Sequence, residues 1–150
     1  MTTSVWGPTT WIFFHTLAEK IKENSFPIIG PNLIIVIIQI CNNLPCPDCA
    51  GHAKAFWSKV NVANIKTKSD LINLLFVFHN SVTIRKGMRP FRHSDLVYYK
   101  RQNLVDTYNK FAANFNTRGN MNLITESFHR TIMMSKLRGW LMKNINFFNP

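Results

Sequence analysis

LIIVIIQI, residues 33–40, fits two structures. Six of its eight residues are β-branched, which favours a strand. A helix buried on every side carries the same apolar run. The neighbouring segments are helical by spacing, while the run itself stays open. Before it, residues 9–23 put Trp11, Phe14, Ala18 and Ile21 on one helical face, with Thr9 or Thr10 as a cap. Trp11 and His15 stand one turn apart on that helix. Residues 26–32 hold two prolines and a glycine and read as a loop.

Beyond residue 43, Pro45 stops the run, and Cys49, Ala53, Phe56 and Val60 keep helical spacing. Cys49 is therefore expected in the first turn of a helix. Residues 69–86 form the clearest helix: Ser69 and Asp70 start it, Leu71, Leu75, Phe78 and Val82 repeat along one face, and Gly87 ends it. Ser94 and Asp95 open another, carrying Val97, Leu104, Tyr108 and Phe111. FNTRGNMN, residues 115–122, is a polar break. After it, Leu123, Ile132, Met133, Leu137, Trp140 and Leu141 alternate with Arg130, Lys136, Arg138 and Lys143, a basic amphipathic helix.

The chain of 150 residues suits one globular core, since 46% of it is apolar and 13% aromatic. Its net charge is +11, with +7 on residues 1–111 and +4 on the remainder. A basic, solvated surface accounts for this, and so does a polyanionic partner. We divide the chain into a domain at 1–111 and a basic helical extension at 112–150. The start MTTSVWGPTTW lacks the basic-then-apolar order of a signal peptide. The longest apolar run, Leu33 to Cys41, is shorter than the ~20 residues a membrane span needs. Three cysteines, Cys41, Cys46 and Cys49, do not make a secreted disulfide framework. The expectation is a soluble protein of a reducing compartment, with no specific nucleic acid as partner.

Cys46-Pro47-Asp48-Cys49 carries the chemistry. A CxxC opening a helix can close a small disulfide ring, and the positive end of the helix favours the thiolate, so a lowered Cys49 pKa is expected. Such a pair passes electrons by thiol–disulfide exchange. After redox chemistry, the motif also fits half of a zinc site, with His52, His15 or His79 as further ligands, and last a pair of inert core thiols. A thioredoxin-like fold would need a strand after the CxxC helix, and helical spacing follows instead. Cys41, without a partner at a telling distance, reads as a small buried residue.

Three segments together resemble the Erv/ALR family of FAD-linked sulfhydryl oxidases. WGPTTWIFFH at 6–15 matches WG-x3-W-x3-H, LPCPDCAGHA at 44–53 matches P-C-x-x-C-x-x-H, and FHNSV at 78–82 matches H-N-x-V. The resemblance covers residues 5–100. The short form looks like members encoded by large DNA viruses, which would place the protein in the host cytoplasm or the virion.

The resemblance implies an all-α fold: a four-helix bundle with a short fifth helix, which makes residues 33–43 helical. It implies FAD as cofactor, with Cys49 next to the flavin, Cys46 exchanging with the substrate, and oxygen reduced to hydrogen peroxide. It assigns cofactor contacts to Gly7, Trp11, His15, Cys49, His52, His79, Asn80 and Val82. Thr83 stands where the family has Asn, and Met88 or Arg89 where it has Lys. Arg89, in a basic cluster with Arg85, Lys86 and Arg92, suits a pyrophosphate; Tyr99 or Tyr98 suits adenine stacking. The expected partners are dithiol proteins, or a thioredoxin- or glutaredoxin-like carrier, since no second cysteine pair is present. A homodimer through the first two helices is expected. The extension is expected to pack on the bundle, with contact to a membrane surface as the alternative.

Overall fold

In the computed structural model, which describes residues 3–115 and 124–150, the protein is all-α. Seven α-helices lie among the described residues: α1 Thr3–Lys20, α2 Phe26–Asn42, α3 Pro47–Ser58, α4 Lys68–Arg85, α5 Val97–Lys100, α6 Leu104–Phe115 and α7 Ile124–Asn144. Helices α1–α4 form the bundle and α5 is the short fifth helix. Leu123 and the polar break after Phe115 lie outside the described residues.

α1 begins earlier than spacing suggests, so Thr9 and Thr10 are interior residues, not caps. Pro8 lies inside the helix and has no N–H to donate. The hydroxyls of Thr9 and Thr10 both donate to the Trp6 carbonyl, at 3.1 and 2.7 Å.

The largest departure from the sequence expectation is residues 26–32, which are helix and not loop. Pro27 falls in the first turn, where a missing N–H costs nothing. At Gly30 a Cβ would lie 2.8 Å from the Phe26 ring, so only glycine lets that ring fold over the turn. The β-branched run is helical because burial outweighs propensity: Leu33, Ile37 and Ile40 are fully buried and Ile34 and Cys41 nearly so. With the extra turn, Glu23–Asn42 becomes long and apolar enough to cross a membrane, yet 56% of that window is buried inside the bundle.

α4 starts one residue before the expected position. Its cap is Thr67, whose hydroxyl accepts from Asp70 N (3.1 Å) while the Asp70 carboxylate accepts from Thr67 N (3.1 Å). Replacing Thr67 with Ala is expected to cost about 1 kcal/mol of stability, readable as a lower urea midpoint at unchanged slope.

The single helix expected from Ser94 through Phe111 is broken. A 3-10 turn at His93–Leu96 leads into α5, and Asn103 restarts the chain, its side chain accepting from Asp106 N at 3.0 Å. The division after residue 111 falls inside α6, whose Phe111 and Phe115 are both fully buried. Phe111 stacks on Phe13 of α1 at 4.8 Å.

α7 packs on α2, where the Trp140 indole N–H donates to Asn32 Oδ1. The chain end then returns to α1 and α6: Lys22 N donates to Phe147 O (2.9 Å) and Leu104 N to Pro150 O (2.9 Å). The extension is thus built into the fold on its inner side.

Candidate functional site

α3 starts at the CxxC. Pro47 takes the first helical position, and the Cys46 sulfur caps the helix by accepting from Cys49 N at 3.2 Å. All three cysteines are free thiols. The two ends of the motif differ in what they face. Cys49 lines a small, partly open cavity of about 50 Å³ between α1, α3 and α4; Cys46 does not. The cavity wall includes Trp6, Trp11, Phe14, Phe78 and Val82, with Arg85 and Lys86 at its edge.

The lowered Cys49 pKa expected from the helix end is not what the structure gives. Burial pushes the thiol up to about 11, the Cys46 sulfur adds to the rise, and Lys86 and Arg85 oppose it more weakly. Cys41 lines the same cavity from behind, and burial pushes its thiol up to about 12, so it stays protonated.

A second, open cleft of about 840 Å³ adjoins the first and shares Gly7, Trp11, Val82 and Lys86 with it. Its volume is within the usual range for a ligand pocket, roughly 300–1,000 Å³. Aromatic faces line it: Trp11 stacks on His79 at 4.1 Å and 7°, and Phe91 lies 4.3 Å from His79. Tyr98, Tyr99, Met88 and Arg89 also line it, with one carboxylate, that of Asp95.

His15 stands behind this wall rather than in it. Its Nε2 lies 2.9 Å from His79 Nδ1, and its ring stacks on Tyr99 at 4.3 Å. One of the two rings donates and the other accepts. Burial lowers His15 to about 4 and, with His15 and Lys86 beside it, lowers His79 to about 3, so both are neutral at pH 7.

Of the residues nominated from sequence, Gly7, Trp11, Cys49, His79, Val82, Arg89 and Tyr99 therefore line one continuous space. His52 does not: it is exposed on α3, whose inward face is taken by Ala53 and Trp57. Asn80 lines neither cavity. Its side chain accepts from Phe91 N (2.8 Å) and donates to Phe91 O (3.1 Å), which ties the loop after Gly87 to α4. Arg92 also lies outside the lining, and its N–H donates to Asp95.

Sequence reasoning passed over Trp6, Ile12 and Phe91, and took Lys86 only as one of a cluster. Trp6 is the most telling. It is 4% exposed, it lines the inner cavity, and its indole N–H has no partner. A buried donor left unpaired is costly unless a ligand completes it. Flat apolar walls, the three cations Arg85, Lys86 and Arg89 and an uncommitted donor suit a planar ring system joined to phosphates. Among the described residues no three His, Cys, Asp or Glu side chains cluster to hold a metal, so the zinc alternative has no ligand set.

A model of the Erv1/Alr family matches residues 8–103. The chain belongs to the Erv1/Alr family. The match spans α1 through α5 and leaves α6 and α7 outside. A protein of Invertebrate iridescent virus 6 named as an FAD-linked sulfhydryl oxidase is 30% identical over 89 residues, 55% of this chain and 80% of that protein. An African swine fever virus protein named FAD-linked sulfhydryl oxidase is 26% identical over 102 residues, 68% of this chain and 85% of its own. No solved structure matches the chain.

Proposed function

We propose that this Erv1/Alr protein is an FAD-linked sulfhydryl oxidase that forms disulfides in protein dithiols with oxygen as acceptor. The observation that carries the proposal is the shared cavity: Cys49 of the CxxC opens into the same space as Trp6, Trp11, Val82 and Lys86. That space runs on into the cleft of Arg89 and Tyr99. Trp6, Trp11 and Val82 would hold the flavin ring, Lys86 and Arg89 the phosphates, and Tyr98 or Tyr99 the adenine. Bound there, FAD would supply the two-electron acceptor that couples dithiol oxidation to reduction of oxygen to hydrogen peroxide.

The protein residues divide the thiol work by position. Cys46 is half-buried and does not line the cavity, so it is the sulfur of the pair left for the substrate. A substrate thiolate attacks its sulfur in the Cys46–Cys49 disulfide, forming a mixed disulfide and releasing Cys49 as thiolate. Once Cys46 is bonded to the substrate, its own contribution to raising Cys49 is gone, while Arg85 and Lys86 remain to stabilise the anion. The second substrate thiol then displaces Cys46 and leaves as the product disulfide; the electron pair is now on the reduced Cys46–Cys49 pair, and bound FAD would be its acceptor as Cys49 closes the disulfide with Cys46 again.

The chain as purified should be yellow, carry one FAD, and make peroxide in proportion to dithiol consumed. A folded preparation that never takes up FAD would refute the proposal. Asn80→Ala should weaken FAD retention by about tenfold, since it frees Phe91 and the loop that walls the outer cleft; equilibrium dialysis against FAD measures this.

Three finer expectations belong to the same proposal. A small thioredoxin- or glutaredoxin-like carrier feeds Cys46, because Cys41 is too deeply buried to serve as a relay. Equal oxidation of every folded dithiol protein without a carrier would argue against it. A homodimer through α1 and α2 would use exposed Val5, Ile28 and Ile35, beside the strip of α2 that α7 already covers. The third places the protein in the cytoplasm of a host cell, where substrate dithiols are kept reduced, with the virion as the alternative.

A further inference from the structure

α7 turns two apolar faces in opposite directions. Met134, Leu137 and Leu141 are at most 8% exposed on the inner side. On the outer side Phe128, Ile132 and Met142 are 64%, 41% and 66% exposed. Their spacings of four and ten residues keep them on one face of the helix, within about 80° of arc, with the small residues Ser135 and Gly139 between Ile132 and Met142. Lys136 and Lys143 stand along one edge of the stripe and Arg138 along the other, all three exposed.

No Asp or Glu occurs between residues 127 and 150. A merely solvated outer face would mix charges of both signs and would not align large apolar side chains. A nucleic acid would engage the cations and leave Phe128, Ile132 and Met142 in water. An anionic bilayer engages both: the stripe enters the boundary between headgroups and acyl chains, and the flanking cations reach headgroup phosphates.

We propose that the outer face of α7 seats this protein on an anionic membrane surface, with the helix lying in the headgroup plane. Because the inner face of α7 is part of the fold, the helix need not unfold or swing out to dock. The bundle and its CxxC are then held beside the membrane, where dithiols of membrane-attached proteins are concentrated.

Co-sedimentation of the full-length, FAD-loaded chain with vesicles tests this. Binding is expected to phosphatidylcholine vesicles containing phosphatidylserine, and little to phosphatidylcholine alone. Phe128→Gln, Ile132→Gln and Met142→Gln combined should reduce binding at least about tenfold, with melting temperature and thiol oxidation unchanged. Lys136→Gln, Arg138→Gln and Lys143→Gln combined should do the same, and added salt should weaken the parent. The proposal is overturned if phosphatidylserine vesicles do not sediment the parent. It is also overturned if the apolar triple variant binds as the parent does, which would leave only general attraction of a basic protein. Tight binding of duplex nucleic acid that displaces the vesicles and survives the apolar substitutions would assign the face to nucleic acid instead.

Discussion

Cys49→Ser is expected to lower the turnover of dithiol oxidation by at least about 10³-fold while FAD stays bound. An alcohol at residue 49 can neither form the Cys46–Cys49 disulfide nor leave from it, so the path between substrate and cavity is cut at its inner end. The side chain keeps its shape, and the walls of the cavity at Trp6, Trp11 and Val82 are untouched. Retained FAD therefore separates lost chemistry from a misfolded site, with peroxide release as the measurement of activity. Cys46→Ser should abolish turnover equally, since the substrate then finds no sulfur at the mouth. It should also make Cys49 easier to ionise, because the Cys46 sulfur is among the causes that hold its thiol up. Burial, the first cause, stays. The pH profile of alkylation at Cys49 should move down in Cys46→Ser relative to the reduced parent; an unmoved profile would mean that Cys46 does not act on its neighbour.

The residues that sequence reading placed well are those whose role follows from local spacing. The CxxC with Pro47 opens a helix because the proline and the sulfur cap are both within four residues. Trp11 and His79 meet because each lies on the inward face of a periodic helix. What stayed hidden depends on partners far along the chain. Pro27 and Gly30 read as breakers, yet one falls where helices tolerate proline and the other where the Phe26 ring needs room. The break at Asn103 is stabilised by a hydrogen bond from Leu104 N to Pro150 O, which no local pattern announces. Trp6 looks like an ordinary core aromatic until its unpaired N–H is seen beside the cavity. His52 and Asn80 carry the motif's spacing but not its presumed contacts, because spacing fixes a residue's turn and not its neighbours. One is exposed to solvent, and the other is spent on the Phe91 backbone.

The His15–His79 pair makes the fold sensitive to acid, and the sign follows from burial. Both folded pKa values lie below the ordinary 6.5, at about 4 for His15 and about 3 for His79. Between these limits the unfolded chain binds more protons than the folded one, so stability falls as pH drops. The loss begins near pH 6.5 and is absent above it. His15 alone should cost about 3 kcal/mol by pH 4. His79 deepens the loss, since a second proton would set two N–H groups face to face across a 2.9 Å contact. Glu19 works against this trend: burial raises its pKa, so its folded carboxyl takes up a proton before the unfolded one does. Asp70 acts in a lower window, its carboxylate held down first by the Lys66 N–H, with stability lost only as pH falls below 3.8. Urea unfolding at constant excess FAD, from pH 7.5 to 4.5, should therefore show a steep decline in the parent. In His15→Gln, which cannot titrate, the decline should be clearly shallower. Parallel curves for the two proteins would show that the acid sensitivity arises elsewhere and that His15 is not held neutral by its burial behind His79 and Tyr99.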